Sequence, residues 1–318
     1  MQLSTSYIDI SDNISERKEI AGGVWCSDVT SLKKDSPELY KKYCADSASG
    51  LFIYALKKMS DRQNLQLNLS SGGDIYVIVE EESQLDLIIN FKNKEVNSSI
   101  CYYINENAHF SVLNVVDMNG GDIRTSDLVK QKKNSRSSIS YFMLNGNFSE
   151  RGLTVDLEGE NAESKIQGFT LGRRSQNYST SLTVNHRVPS CRSTQLFKAV
   201  VAEESKVNFH GKIVVHPNAQ HTEAFQTNKS LLLSDTARVH TEPQLEIYAD
   251  DVKCSHGAAV GQLDEDALFY MLSRGIGKTF ARQLLLQGFA EDIILEVSND
   301  DFREFIREGI LKHLNTLN

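Results

Sequence analysis

The sequence predicts a mainly β protein, its short strands stacked into one core and followed by a C-terminal α-helical domain. Three observations point there. Across residues 51–260, β-favouring runs alternate with Asn, Gly, Ser and Asp clusters that favour turns. Beyond Gly261 the apolar spacing changes from strand-like to helical. No Gly/Ser-rich or Pro-rich linker divides the chain, which has only 4 prolines in 318 residues and is long enough to bury a sizeable core.

Over residues 7–54 the signals are mixed. One helix is expected at Pro37–Tyr43, with Asp35 or Ser36 as N-cap and Pro37 in the first turn. The strands that follow include FIYAL, DIYVIV, LDLIINF, FSVLNVV, ISYFML, LTVDL, SLTVNH, QLFKAVV, KIVVH, SLLL and QLEIY. A loose internal similarity runs through them: EESQLDL near Ser83, ENAHFSV near Ala108, ENAESKIQG near Ala162, EESKVNFHG near Ser205 and SDTARVH near Ala237. Each joins polar residues, a small residue and a β-favouring segment, as coils of a β-solenoid do. The spacing drifts, and a β-sandwich would also give many short strands, so periodicity leaves both open.

After Gly261, Asp264 opens a helix through Ala267, Leu268, Met271 and Leu272, which SRGIG breaks. A second helix carries Phe280, Leu284, Leu285, Phe289 and Ile293 at helical spacing, and a third carries Phe302, Phe305, Ile306 and Ile310. These stripes are expected to pack as a small cap against the end of the β-region, and such a cap can also offer a face to a partner. The expected division is a short mixed segment over 1–50, a β core over 51–262 and a helical domain over 263–318.

The balance of 34 basic against 42 acidic residues gives a net charge of −8 with no long block of either sign. That argues against a broad nucleic-acid or membrane-surface footprint. Lys130, Lys132 and Lys133 read as a solvated loop. The N-terminus MQLSTSYIDISDN lacks the pattern of a secretory signal, and no apolar run reaches the length of a membrane span, so a cytoplasmic location is expected. The five cysteines, Cys26, Cys44, Cys101, Cys191 and Cys254, have no CxxC spacing and read as free thiols or occasional ligands.

The most informative stretch is PQLEIYADDVKCSHGA, residues 243–258. Residues two apart on an extended backbone project to one face, so Cys254 and His256 would present a thiolate and an imidazole together, half of a transition-metal site. The competing reading is a packed cysteine acting as a small hydrophobe. Six of eight histidines, His186, His210, His216, His221, His240 and His256, fall in the same region and could converge if coils stack. Asp250 and Asp251 could serve a hard cation or glycan cleavage, but consecutive strand residues face opposite ways. GIGKT, residues 275–279, lacks the earlier glycine of a phosphate-binding loop, since that position is Leu272, and reads as a break between helices.

SCRSTQLFKAVV, FHGKIVVHPNAQHTEAFQTNKSLLLS, PQLEIYADDVKCSHGAAVGQLDEDALFYMLSRGI and QGFA, within residues 190–290, resemble the core of the SufB/SufD family of iron-sulfur cluster assembly proteins. A fainter likeness, GVWCSDVTSLKKDSPELYKKY and GLFIYALK, extends to about Gly23. ADDVKCSHGA is most like the SufD branch, because SufB carries a Glu where this chain has Gly257, and SufB's cluster-building cysteine falls at Asn228. The long N-terminal helical region usual in that branch is expected to be shortened or missing here.

The resemblance implies a right-handed parallel β-helix core that pairs with a SufB-like subunit, and C-terminal helices that dock a SufC-like ABC ATPase. It implies a scaffold without catalysis of its own. A transient iron-sulfur cluster or iron would sit at the shared subunit interface, with Cys254 and His256 as metal ligands, and ATP would act only through the partner ATPase, driving a rearrangement that exposes the site. Mixed thiolate and imidazole ligation suits a cluster that must be built and then released. A possible homodimer, a β-helix carbohydrate-active enzyme, and a purely structural subunit with an inert, buried Cys254 stay open.

Overall fold

A computed structural model describes residues 6–9, 18–44, 47, 49–59, 61–69, 72–92 and 95–317. The stretch read for a targeting signal lies largely outside the described residues.

The chain opens with β1 (Ser6–Asp9), β2 (Lys18–Ala21) and β3 (Val24–Asp28), then the short helices α1 (Val29–Asp35) and α2 (Pro37–Tyr43). The strands continue with β4 (Leu51–Ala55), β5 (Gln63–Leu69), β6 (Gly73–Val79), β7 (Gln84–Phe91), β8 (Glu95–Ile104), β9 (His109–Asp117), β10 (Asp122–Gln131) and β11 (Arg136–Asn145). Then come β12 (Phe148–Leu157), β13 (Glu163–Gly172), β14 (Asn177–His186), β15 (Arg192–Val201), β16 (Lys206–Val215), β17 (Glu223–Leu232), β18 (Arg238–Ile247) and β19 (Lys253–Gly261). Three helices follow: α3 (Glu265–Ser273), α4 (Lys278–Leu295) and α5 (Asp300–Leu314).

From β4 onward, successive strands alternate between two sheets. One runs β1-β5-β7-β9-β11-β13-β15-β17-β19 and the other β18-β16-β14-β12-β10-β8-β6-β4-β3-β2. Every neighbouring pair is parallel except β2 with β3 and β3 with β4. The result is a parallel β-solenoid of about 8 turns, which decides against the sandwich.

Corners leading into the nine-stranded sheet share one design. A residue at positive φ, such as Asn107, Asn134, Asn161 or Ser190, precedes a small, buried residue, here Ala108, Ser135, Ala162 or Cys191, and the next strand follows. Asn tolerates this left-handed backbone, and the three asparagines form a ladder in which Asn134 and Asn161 each donate, at 3.1 Å, to the side-chain oxygen of the asparagine one coil earlier. Cys191 is thus a corner residue, its thiol 3.3 Å from the Gly159 carbonyl oxygen.

The two sheets differ in patterning. β8 and β10 alternate between buried and exposed positions, whereas β7, β9 and β11 are buried almost throughout. Strands covered on both faces read as continuous apolar runs. The cover consists of α4 and α5: Leu286, Ile293, Phe302, Ile306 and Ile310 pack on the outward-facing Ile88, Leu113, Phe142, Phe169 and Val200. The helical region therefore lies along the side of the solenoid, not across its end as the sequence suggested. The physical reason is the apolar outer face of the nine-stranded sheet, which needs burial more than the last coil does.

The N-terminal segment holds one helix more than expected. Asp28 caps α1, its carboxylate accepting from Ser31 N at 2.9 Å, whereas Ser36 starts α2 without a side-chain cap bond. α1 and α2 pack Val29, Leu32 and Tyr43 against Trp25, Phe52 and Ile78. Inside the solenoid, the mid-lumen holds a buried polar group of Asp127, Tyr141, Thr125 and Arg151. Tyr141 donates to Asp127 at 2.7 Å, and the Arg151 guanidinium lies 4.0 Å from the Tyr141 ring centre.

Candidate functional site at the open end of the solenoid

With the helices on the side, the last coil carries little cover. Among the described residues β18 and β19 are the terminal strands of their sheets, so each has an edge of backbone groups with no described strand beyond it. Such edges template further strands unless they are blunted. Pro243 lies within β18, where a missing N–H is tolerated because the strand is an edge.

Register fixes where the sequence-chosen pair points. Cys254 stands beside Ala224 and His256 beside Gln226 of β17, and both of those neighbours are buried inward-facing residues. Cys254 and His256 therefore share the inward face of β19, at the mouth of the lumen. Cys254 is half-buried and packs near Ala219, Ala224 and Ala249, while His256 is exposed. Burial raises the Cys254 thiol above its usual range, opposed by a backbone hydrogen bond at Ala224. Ligation by a metal would have to displace that proton, which soft metals do readily.

Beneath His256 the lumen changes character. One inward column reads Val112, Ile139, Ile166, Gln195, Gln226 and His256, strand by strand. Gln226 donates to Gln195 Oε1 at 2.6 Å and keeps its own Oε1 without a protein partner. Sequence reasoning did not single out these glutamines. Their signal is an amide at a strand position where earlier coils carry Val or Ile. Gly211 makes room for them, since a Cβ there would fall 2.2 Å from Gln226 Nε2. Asn228 is buried one strand below Ala258 on the neighbouring inward column.

The other candidates stay apart. His186 is fully buried and bonded to Ser193, at 2.8 Å. His210 and His240 lie 3.5 and 3.7 Å from Glu242, and His221 lies 2.9 Å from Asp251. The neighbouring acids do not converge, because Asp251 is engaged with His221. Among the described residues no three His, Cys, Asp or Glu side chains are placed to hold a metal together. The mouth thus presents one thiol and one imidazole on a shared face. Gly277 and Lys278 begin α4 between helices, away from any strand, as the missing glycine implied.

A second surface lies on the helices. Phe269, Tyr270, Leu272 and Phe280, on α3 and the first turn of α4, are exposed, Phe269 to 72 %. Asp264 caps α3, accepting from Ala267 N at 2.9 Å. Among the described residues no helix is long and apolar enough to cross a membrane.

The chain matches the family described as "SUF system FeS cluster assembly, SufBD core domain" over residues 63–289. It is 36 % identical over 173 residues to the iron-sulfur cluster assembly protein SufD of Escherichia coli, covering 54 % of this chain and 41 % of that one. An iron-sulfur cluster assembly SufBD family protein of Synechocystis is 34 % identical over 61 % of this chain and 43 % of its own length. The chloroplastic protein ABCI7 of Arabidopsis thaliana is 30 % identical over 81 % of this chain and 56 % of its own. The chain thus spans about half the length of the curated relatives it matches. A family match over most of the chain, carried by a parallel β-solenoid with helices on one flank, places this protein in the SufB/SufD family of the SUF iron-sulfur assembly system, most like SufD.

Proposed function

We propose that this chain is a SufD-type scaffold subunit whose open coil pairs with a SufB-like subunit, and that Cys254 and His256 supply its half of the ligands for a nascent cluster. The cluster is cargo, built at the joint and passed on. The observation that carries this reading is the shared inward face of Cys254 and His256 on the last strand, above a polar lumen column and beside two unpaired sheet edges. A thiolate and an imidazole bind iron without the full charge of a four-thiolate set, which eases release.

The exposed aromatic patch of α3 and α4 is the docking face for a SufC-like ATPase. Exposed apolar side chains of this size, rimmed by polar residues, mark protein contacts. In this reading residues 1–50 brace the first coils, 51–262 form the scaffold and 263–318 receive the ATPase. The subunit holds and positions and does no catalysis itself, so ATP enters only through the partner.

The test is co-expression with the SufB-like and SufC-like counterparts, comparing bound iron and acid-labile sulfide for the wild type, Cys254→Ala and His256→Ala. Both side chains sit at the solenoid mouth, so the fold should persist, checked by circular dichroism. The expected result is a several-fold loss of cluster in each variant, and unchanged content in both would remove the metal role.

A further inference from the structure

Away from the open end, a cleft of about 230 Å³ lies under the α4–α5 loop, on the outer face of β7, β9, β11 and β13. Two columns of adjacent strand positions form its floor. Asp86, Ser111, Ser138 and Lys165 stand in register on one, and Gln84, His109, Arg136 and Glu163 on the other. Arg62, Phe110, Ser137 and Ser298 complete the lining. In-register residues on parallel strands are about 4.8 Å apart, so Ser138 stands beside both Ser111 and Lys165, with Arg136 two residues away on its own strand.

Three features indicate what the cleft takes. First, Arg62 is tied tightly to Asp86, whereas Arg136 and Lys165 are held only by longer ion pairs. Arg62 donates to Asp86 at 2.8 Å and Asn299 also bonds Asp86, whereas Arg136 is 3.7 Å from Glu163 and Lys165 is 4.0 Å from Glu296. Second, the Ser138 hydroxyl, in a residue only 8 % exposed, faces the outer side of β11 with no hydrogen-bond partner in the protein. A buried hydroxyl without a partner is unfavourable, and a bound acceptor would satisfy it. Third, the lining carries three permanent cations against two carboxylates in a chain of net charge −8. His109 reports that field, since burial and then the Arg136 and Arg62 charges hold its pKa below the ordinary imidazole value. The volume is below the roughly 300–1,000 Å³ of clefts that enclose drug-sized ligands, so the occupant is small.

We infer that this cleft binds a small oxyanion of the phosphate class, held by the Arg136 and Lys165 side chains and by the Ser138 hydroxyl. The site is independent of the cluster site, as none of its lining residues belongs to β18 or β19. A free phosphate ion and the phosphate of a small phosphomonoester share the required chemistry.

The test is calorimetric titration of the full chain in chloride buffer with inorganic phosphate and, separately, with glycerol phosphate, at constant ionic strength. Saturable binding of at least one is expected, weakened at least tenfold in Arg136→Gln/Lys165→Gln and several-fold in Ser138→Ala. Tighter binding of the ester identifies an esterified ligand, and tighter binding of the ion identifies phosphate itself. Arg192→Gln removes a cation from the same row of strand starts but outside the cleft, and should leave affinity unchanged. Absence of saturable binding to either compound, an unaltered affinity in the double variant, or an equal loss in Arg192→Gln would overturn the assignment.

Discussion

The His186 imidazole is fully buried in the lumen, with Nε2 2.8 Å from Ser193 Oγ and Nδ1 unpartnered. Burial pushes its pKa down to about 4. Because the folded value lies below the unfolded one, the unfolded chain takes up a proton first as pH falls, and stability is lost between about pH 6.5 and 4. The full span corresponds to about 3 kcal/mol. Urea unfolding at pH 7 and pH 4.5 should therefore show a smaller acid loss in His186→Gln than in wild type, by about 2–3 kcal/mol, and an identical loss would exclude this source. His186 also marks what residue reading could reach. Extended-strand geometry was enough to put Cys254 and His256 on one face. It could not say that His186, also on a strand, faces a dry interior, because inward and outward depend on which sheet face the coil encloses.

At the scale of elements, most strands and all three C-terminal helices were legible, since alternation and helical spacing are local properties. Asp264 was read as the opening of α3 and caps it in the structure. The repeat was legible only as a blur for a specific reason: Ser83, Ala108 and Ala162 lie at corners entering the nine-stranded sheet, whereas Ser205 and Ala237 enter the other. Mixing the two corners of a lengthening coil hides the period. The placement of α4 and α5 was missed, although LDLIINF and FSVLNVV carry apolar residues at both strand phases, the signal of strands covered on both faces. α3 makes the element-scale prediction. Phe269→Ala/Tyr270→Ala should leave the melting temperature nearly unchanged, because both rings are exposed, yet reduce co-purification of the SufC-like ATPase at least tenfold. Undiminished co-purification would exclude this patch as a docking face.

At the scale of the whole molecule, the solenoid has two unlike ends. The first coils are flanked by the β2–β3 hairpin strands, α1 and α2, while the last presents two unpaired edges, exposed Ile247, Tyr248 and Val260, and the Cys254–His256 pair. Solenoids ordinarily protect a terminal coil, so an open one is the feature that most requires a partner. Amide hydrogen exchange of the chain, alone and mixed with its SufB-like counterpart, examines this most directly. The account predicts that protection gained on mixing concentrates in β18, β19 and the residues between them, and protection confined to other faces with these edges still exchanging freely would contradict it.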